Sequence, residues 1–485
     1  MSVVQSGSVL LSGGMVTTAS RSRLAAVRLA GGRITEIGDL TPRPGEAVLG
    51  CHGCLILPGG IETHTHLDLE AMGTVTADDF ASGTRSALAG GTTTVLDFAT
   101  QFHGESLMDG LRRWHKKAGG QAVTDYGFHL AMTQWRPEFA GEMAEVVEAG
   151  VTSFKLYMAY RGSMMVQDDE IYAALSASSR LGATIGFHCE NGLVIDALAR
   201  QELARGHTGA FYHQYTRPPD LEREAAGRVT TIARLLDAQH YIVHLSAGET
   251  LEEVRRARRG GSKVVAETCP QYLLLDDSRY GTPDSGGSDK RDGIDDRNDS
   301  DELGVRAFVM SPPLRSAENL DALWAGLADG GIQFVGTDHC SFNLHGQKDQ
   351  ATDFASIPNG APGVELRLAL LYTYGVAGGR ISPERFVAVT AENAARYFGL
   401  YPRKGTLLPG SDADIVVYDP GPAWTVSHDR LHDNVDHTPY EGFTIRGRVR
   451  DVFLRGHRVV ADGVLAGDLA PGQFLACGPP DSDIS

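Results

Sequence analysis

The chain has 485 residues, of which 42% are hydrophobic and 22% charged, the composition of a globular protein and not of a disordered or membrane-embedded one. Its formal charge of −17 argues against nucleic acid or an anionic membrane as partner, because like-charged fields repel, and leaves small molecules as the expected partners. Six scattered cysteines are too few for a disulfide scaffold, and the N-terminal segment lacks the basic start and apolar run of a secretion signal, so a cytoplasmic location is expected.

In chain order, residues 8–50 carry short strands and hairpin turns, such as VRLAGGRI at 27–34. Cys51 and Cys54 form a single C-x-x-C, read as two ordinary thiols because no second pair completes a tetrahedral site. From 55 to 345 one unit repeats: an apolar run, a polar loop, a helical stretch and a Gly-containing stop, as at 89–91, 150, 182, 260–261 and 330–331. The runs at 55–62, 92–98, 125–132, 152–158, 184–189, 240–246, 262–268 and 333–338 are rich in Val, Ile, Phe and Thr and predict eight strands. Eight strands alternating with helices favour a (β/α)₈ barrel over an open doubly wound sheet. Residues 405–465 return to hairpin patterns, and the two ends are expected to pair. The expected layout is a smaller discontinuous β domain from 1–54 and 396–470, a barrel over 55–395, and a tail at 471–485. Segment 276–302 has ten acidic and four basic residues with almost nothing apolar, and reads as a solvated loop inserted in the barrel.

Catalytic side chains of such a barrel sit at the C-terminal ends of its strands. His64 and His66 end the first run, and their i, i+2 spacing puts both imidazoles on one face. Lys155 lies in the fourth run, His188 ends the fifth, His244 the sixth and Asp338 the eighth. Taken singly, each has a plain reading as a core histidine or an ion-pair residue. Six ligand-type residues at one end of one barrel instead predict a metal centre. An ammonium beside two dications would be repelled, so Lys155 is read as a carbamate, an anionic bridge. Two divalent ions (+4) against carbamate, Asp338 and one hydroxide (−3) leave a charge that favours a developing oxyanion.

The segments ILPGGIETHTHLD (56–68), GTVTADDF (73–80), SFKLYMAY (153–160), GFHCEN (186–191), VHLS (243–246), SPPLR (311–315), GTDHC (336–340) and IPNG (357–360) resemble the hydantoinase/dihydropyrimidinase branch of the amidohydrolase superfamily. So do GSDADIVVYDP (410–420) and NVDHTPYEG (434–442), which makes the resemblance nearly end to end. It implies a zinc pair: one ion on His64, His66 and Asp338, the other on His188 and His244, with carboxylated Lys155 between them. It further implies that Tyr160 hydrogen-bonds the oxyanion, that backbone groups of Ser311 and Asn359 hold the planar amide edges of a cyclic ureide, and that the protein is a homotetramer. The implied reaction is hydrolytic opening of hydantoins and dihydropyrimidines to N-carbamoyl amino acids, with Asp338 carrying the proton to the leaving nitrogen.

The chain departs from the family where the exocyclic group would lie. Leu69-Glu70-Ala71 stand where a Met-Pro-Phe type segment is common, and Tyr157 where Phe is frequent. Allantoinases and dihydroorotases typically follow HxH with Phe and then Asn or Arg, whereas this chain has Leu67-Asp68, which favours an uncharged ureide. A non-catalytic scaffold of the same fold is the rival from another class. Retention of all six ligand positions and of Tyr160 speaks against it.

Overall fold

The computed structural model describes residues 7–282, 299–481 and 484. Eight parallel strands follow one another in a single sheet: β1 (Gly60–Thr65), β2 (Thr92–Gln101), β3 (Asp125–Met132), β4 (Ser153–Tyr157), β5 (Thr184–His188), β6 (His240–Ile242), β7 (Val264–Thr268) and β8 (Phe334–Val335). The ring closes at its C-terminal rim, where Thr65 bridges His339, the His66 N–H donates to the His339 carbonyl at 2.9 Å, and the His339 N–H donates to the His64 carbonyl at 3.2 Å. Every residue of strands β1 to β7 is buried, as expected of parallel strands covered by helices. The fold is therefore the (β/α)₈ barrel that the repeat predicts.

Three runs resolve differently from their sequence pattern. The run at 55–62 splits into two strands in two sheets, Leu55–Pro58 outside the barrel and β1 within it. Strand β6 stops before His244 and β8 before Asp338, because both residues leave the extended region for positive φ, 38° and 51° respectively. An apolar composition shows neither event.

The termini share a nine-stranded sheet in which Leu55–Pro58 is the joint. It runs parallel to Val9–Thr17 on one side and antiparallel to Ile415–Thr425 on the other, with Leu57 opposite Val416. Leu11, Val27, Ile34, Ile56, Ile415 and Phe453 form its separate core. The buried Lys404 ammonium ties this sheet to the barrel, reaching Asp125 and Asp414 at 2.6 Å each and Asp412 at 3.0 Å. Phe474 bridges Tyr126, and the Cys477 N–H donates to the Gly150 carbonyl at 2.8 Å, so residues 474–477 pack at the N-terminal end of the barrel strands.

The acidic segment is ordered at both flanks. Asp277–Tyr280 is a 3₁₀ turn with the Tyr280 ring buried, its hydroxyl donating to the Phe308 carbonyl at 2.9 Å, and Asp299–Arg306 is a helix. The loop expectation is corrected at both places, and at 277–280 the buried Tyr280 ring anchors the chain despite the polar composition. Residues 283–298, where the rest of that expectation falls, lie outside the described residues. No helix among the described residues is long and apolar enough to cross a membrane.

Candidate active site

At the C-terminal rim the six predicted ligand residues converge. His64 and His66 each bring Nε2 to 3.1 Å from one oxygen of Asp338, and Lys155 Nζ lies 2.9 Å from His64 Nε2. His188 Nδ1 faces His244 Nε2 at 3.0 Å. His64, His244 and Asp338 offer donor atoms that all lie within 4.8 Å of one another.

The surrounding carboxylates decide which nitrogen each histidine presents. His64 Nδ1 donates to Glu267 Oε1 at 2.6 Å, and Glu267 is held in turn by the Thr63 hydroxyl at 2.6 Å and the His244 N–H at 3.2 Å. His188 Nε2 donates to Glu190 Oε2 at 2.8 Å, and Arg217 pairs with the same oxygen at 2.8 Å. Both imidazoles therefore turn a lone pair toward the centre, the arrangement in which histidine ligands are oriented by acceptors behind them. Gly336 permits the crowding: a Cβ there would lie 2.9 Å from His64 Cβ and 3.0 Å from Glu267 Oε2.

Electrostatics favour neutral ligands. Burial pushes His64 and His244 well below the ordinary imidazole value, and the neighbouring Lys155 and histidine charges push the same way. Burial also lowers the Lys155 ammonium, against the pull of Asp338 and Glu267. Burial alone would raise Asp338, but the neighbouring groups, the His66 hydrogen bond foremost, outweigh it and hold the carboxyl below its ordinary value. Imidazole lone pairs and a carboxylate aimed at one buried point repel one another unless a cation lies between them, so these residues fit a metal centre.

A cavity of about 560 Å³ opens over this cluster. Tyr160 stands on its wall at φ 67°, with its carbonyl accepting the N–H groups of Ser163 and Met164 at 3.1 Å each and its ring 5.0 Å from that of His188. Burial raises its hydroxyl, with Glu190 and Asp338 acting the same way against Arg217 and a Ser311 hydrogen bond, so it remains a proton donor at neutral pH. Ser311, which precedes a cis proline, and Asn359 line the same cavity. Among the described residues, no backbone–backbone hydrogen bond uses the N–H or C=O of either one. The rest of the wall is largely apolar, with Leu69, Ala71, Met72, Phe102, Met164 and Phe342. Ala71 and Met72 belong to a small hairpin, Glu70–Ala71 against Thr74–Val75, and Glu70, also on the cavity wall, pairs with Lys117 at 3.5 Å.

All nine residues singled out from the sequence thus gather at one site. Glu267 and Glu190 were missed. A glutamate inside the apolar run VVAET was a signal for the first, because a carboxylate within a parallel strand needs a partner. Glu190 had no such signal, standing beside polar Asn191.

A model of the amidohydrolase family matches residues 55–459. The chain is 40% identical over 468 residues to a D-hydantoinase of Geobacillus stearothermophilus, covering 96% of each. It is 42% identical to a D-hydantoinase of Streptomyces coelicolor, over 97% of this chain and 98% of the relative. The crystal structure of a dihydropyrimidinase from Brevibacillus agri superposes with a TM-score of 0.92 at 40% identity, over 98% of this chain and 99% of that one. A family match over most of the chain, together with relatives of this identity along its whole length, establishes that the chain belongs to the amidohydrolase family.

Proposed function

We propose that this protein is a binuclear-metal cyclic amidohydrolase that opens hydantoin and dihydropyrimidine rings to N-carbamoyl amino acids. One observation carries the reading: the histidine, lysine and aspartate cluster lies at the floor of a cavity whose wall also presents Tyr160, Ser311 and Asn359.

In this reading His64, His66 and Asp338 would hold one ion, His188 and His244 would hold the other, and carboxylated Lys155 would serve both. The burial that lowers the Lys155 ammonium to about 8 enlarges the share of free amine and supports its carboxylation, since only the free amine adds CO₂, with release of a proton. Zinc suits a set of imidazole and oxygen ligands. When bound, the ion pair supplies a nucleophile at neutral pH and Lewis acidity toward the ring carbonyl.

The protein's own groups do the rest. Backbone groups of Ser311 and Asn359 meet the amide edges of the ring, which sets the scissile carbonyl over the cluster. Tyr160 Oη donates to the oxygen as it becomes negative, a contact typically worth about 3–4 kcal/mol. Asp338 takes up the proton released on attack and returns it to the ring nitrogen as the C–N bond breaks. The apolar wall receives the substituent on the ring carbon, and 5-substituted hydantoins are the favoured substrates. The reading includes a homotetramer and a cytoplasmic location. All six cysteines are buried free thiols, which suits a reducing compartment.

Incubation of the metal-loaded protein with dihydrouracil, hydantoin, 5-phenylhydantoin and allantoin, followed by detection of the ring-opened products, tests this. N-carbamoyl products from the first three are expected. Opening of allantoin alone would mark an allantoinase-like hydrolase, and no turnover of any would mark a scaffold.

A further inference from the structure

His339 follows Asp338 and stands outside the six-residue ligand set, yet it is bonded to the main chain of His64 and His66 and to the loop that follows Asn359. Its side chain and that of Asp78 are both fully buried. Its Nδ1 accepts the Gly363 N–H at 3.1 Å, so the proton sits on Nε2, which donates to Asp78 Oδ2 at 3.1 Å. Asp78 is anchored in turn: Oδ1 accepts from the Ser82 hydroxyl at 2.8 Å and the Asn434 N–H at 2.9 Å, and its own N–H donates to Ser341 Oγ at 3.0 Å. The main chain of His339 carries the two bonds to His64 and His66 that close the barrel. Gly363 lies four residues beyond Asn359 on the same loop.

We infer that His339, held by Asp78, is a positioning residue that keeps the ligands His64, His66 and Asp338 in register with the substrate loop bearing Asn359. The inference rests on the reaction proposed above. Asp338 sits at φ 51°, where a side chain other than glycine stays only if its surroundings hold it. The next residue supplies that hold through a ring fixed at both nitrogens. One end of the imidazole faces the scaffold through Asp78 and the other faces the substrate loop through Gly363, so the two ends have separable consequences.

Asparagine can reproduce the Nδ1 end of histidine and glutamine the Nε2 end, which makes the test specific. His339→Asn, His339→Gln and Asp78→Ala are compared with the wild type for metal retained against a chelator and for kcat and KM on 5-phenylhydantoin. His339→Asn and Asp78→Ala, which cut the scaffold link, should release metal at about 10–100-fold lower chelator concentration and lose kcat to a similar degree with KM little changed. His339→Gln, which cuts the ring's link to the loop and leaves only the main-chain pairing with Ala361, should raise KM more than it lowers kcat. A merely structural role would lower the melting temperature and active fraction of all three alike, without this split. Wild-type metal retention and kcat in His339→Asn, or equal changes in all three variants, would overturn the inference. If His339→Asn fails to fold, Asp78→Ala reads the same link. Absence of wild-type turnover would count against the reaction, while the chelator arm would still decide the positioning role.

Discussion

His64 Nδ1 lies 2.6 Å from Glu267 Oε1, and this contact decides which nitrogen of His64 is left for a cation. Glu267→Gln keeps the shape but can turn its amide N–H₂ toward the ring, which favours the wrong tautomer. The variant is expected to lose about 10–100-fold in metal affinity or turnover. Metal titration of the chelator-treated variant checks this, and wild-type affinity together with wild-type turnover would remove Glu267 from the account.

Lys155 Nζ lies 2.9 Å from His64 Nε2, and the proposed reading makes it a carbamate. Lys155→Ala should lose most bound metal and activity, and a short carboxylic acid added to the buffer should restore part of both. Normal metal content and full activity in the variant would sink the carbamate bridge.

Asp338 is poised differently from the histidines, because its ionised state is maintained by neighbouring donors against the cost of burial. Asp338→Asn removes the proton carrier and weakens one ligand. Turnover should fall by about 10²–10⁴-fold while at least one ion per chain remains. Steady-state rates alongside elemental analysis would show it, and near-wild-type turnover would take Asp338 out of the mechanism.

Much of this site was legible in the sequence because barrel strands of near-constant period bring their C-terminal residues to one rim. Once eight runs are counted, His64, Lys155 and His188 are placed by position alone. The backbone turns at His244 and Asp338 were not legible, since positive φ at a non-glycine residue is imposed by tertiary contacts such as the His339 bonds to β1. The split of 55–62 escaped for a related reason. Only Gly59 separates Leu55–Pro58 from β1, and their partners, Ile415–Thr425 and β2, are what distinguish the two sheets. Tyr280 shows the opposite failure, in which one buried ring orders a flank that average polarity marks as solvated.

The substituent pocket yields a graded prediction. Ala71 contributes a methyl group where the family often has an aromatic ring, and the carboxylate of Glu70, which also lines the cavity, is paired with Lys117 at 3.5 Å. Ala71→Phe should therefore lower kcat/KM for 5-phenylhydantoin more than for dihydrouracil. A discrimination on the scale of about 1–3 kcal/mol is expected, since pocket bulk gives preference and not exclusion. Equal effects on both substrates would show that the hairpin lies outside the substituent's reach.

Titrating chelator-treated protein with zinc, while following N-carbamoyl product from 5-phenylhydantoin, tests the central claim most directly. Turnover should be absent without metal and rise to a plateau at two ions per chain. Full turnover in metal-free protein, or none at two equivalents of zinc, would contradict a binuclear cyclic amidohydrolase.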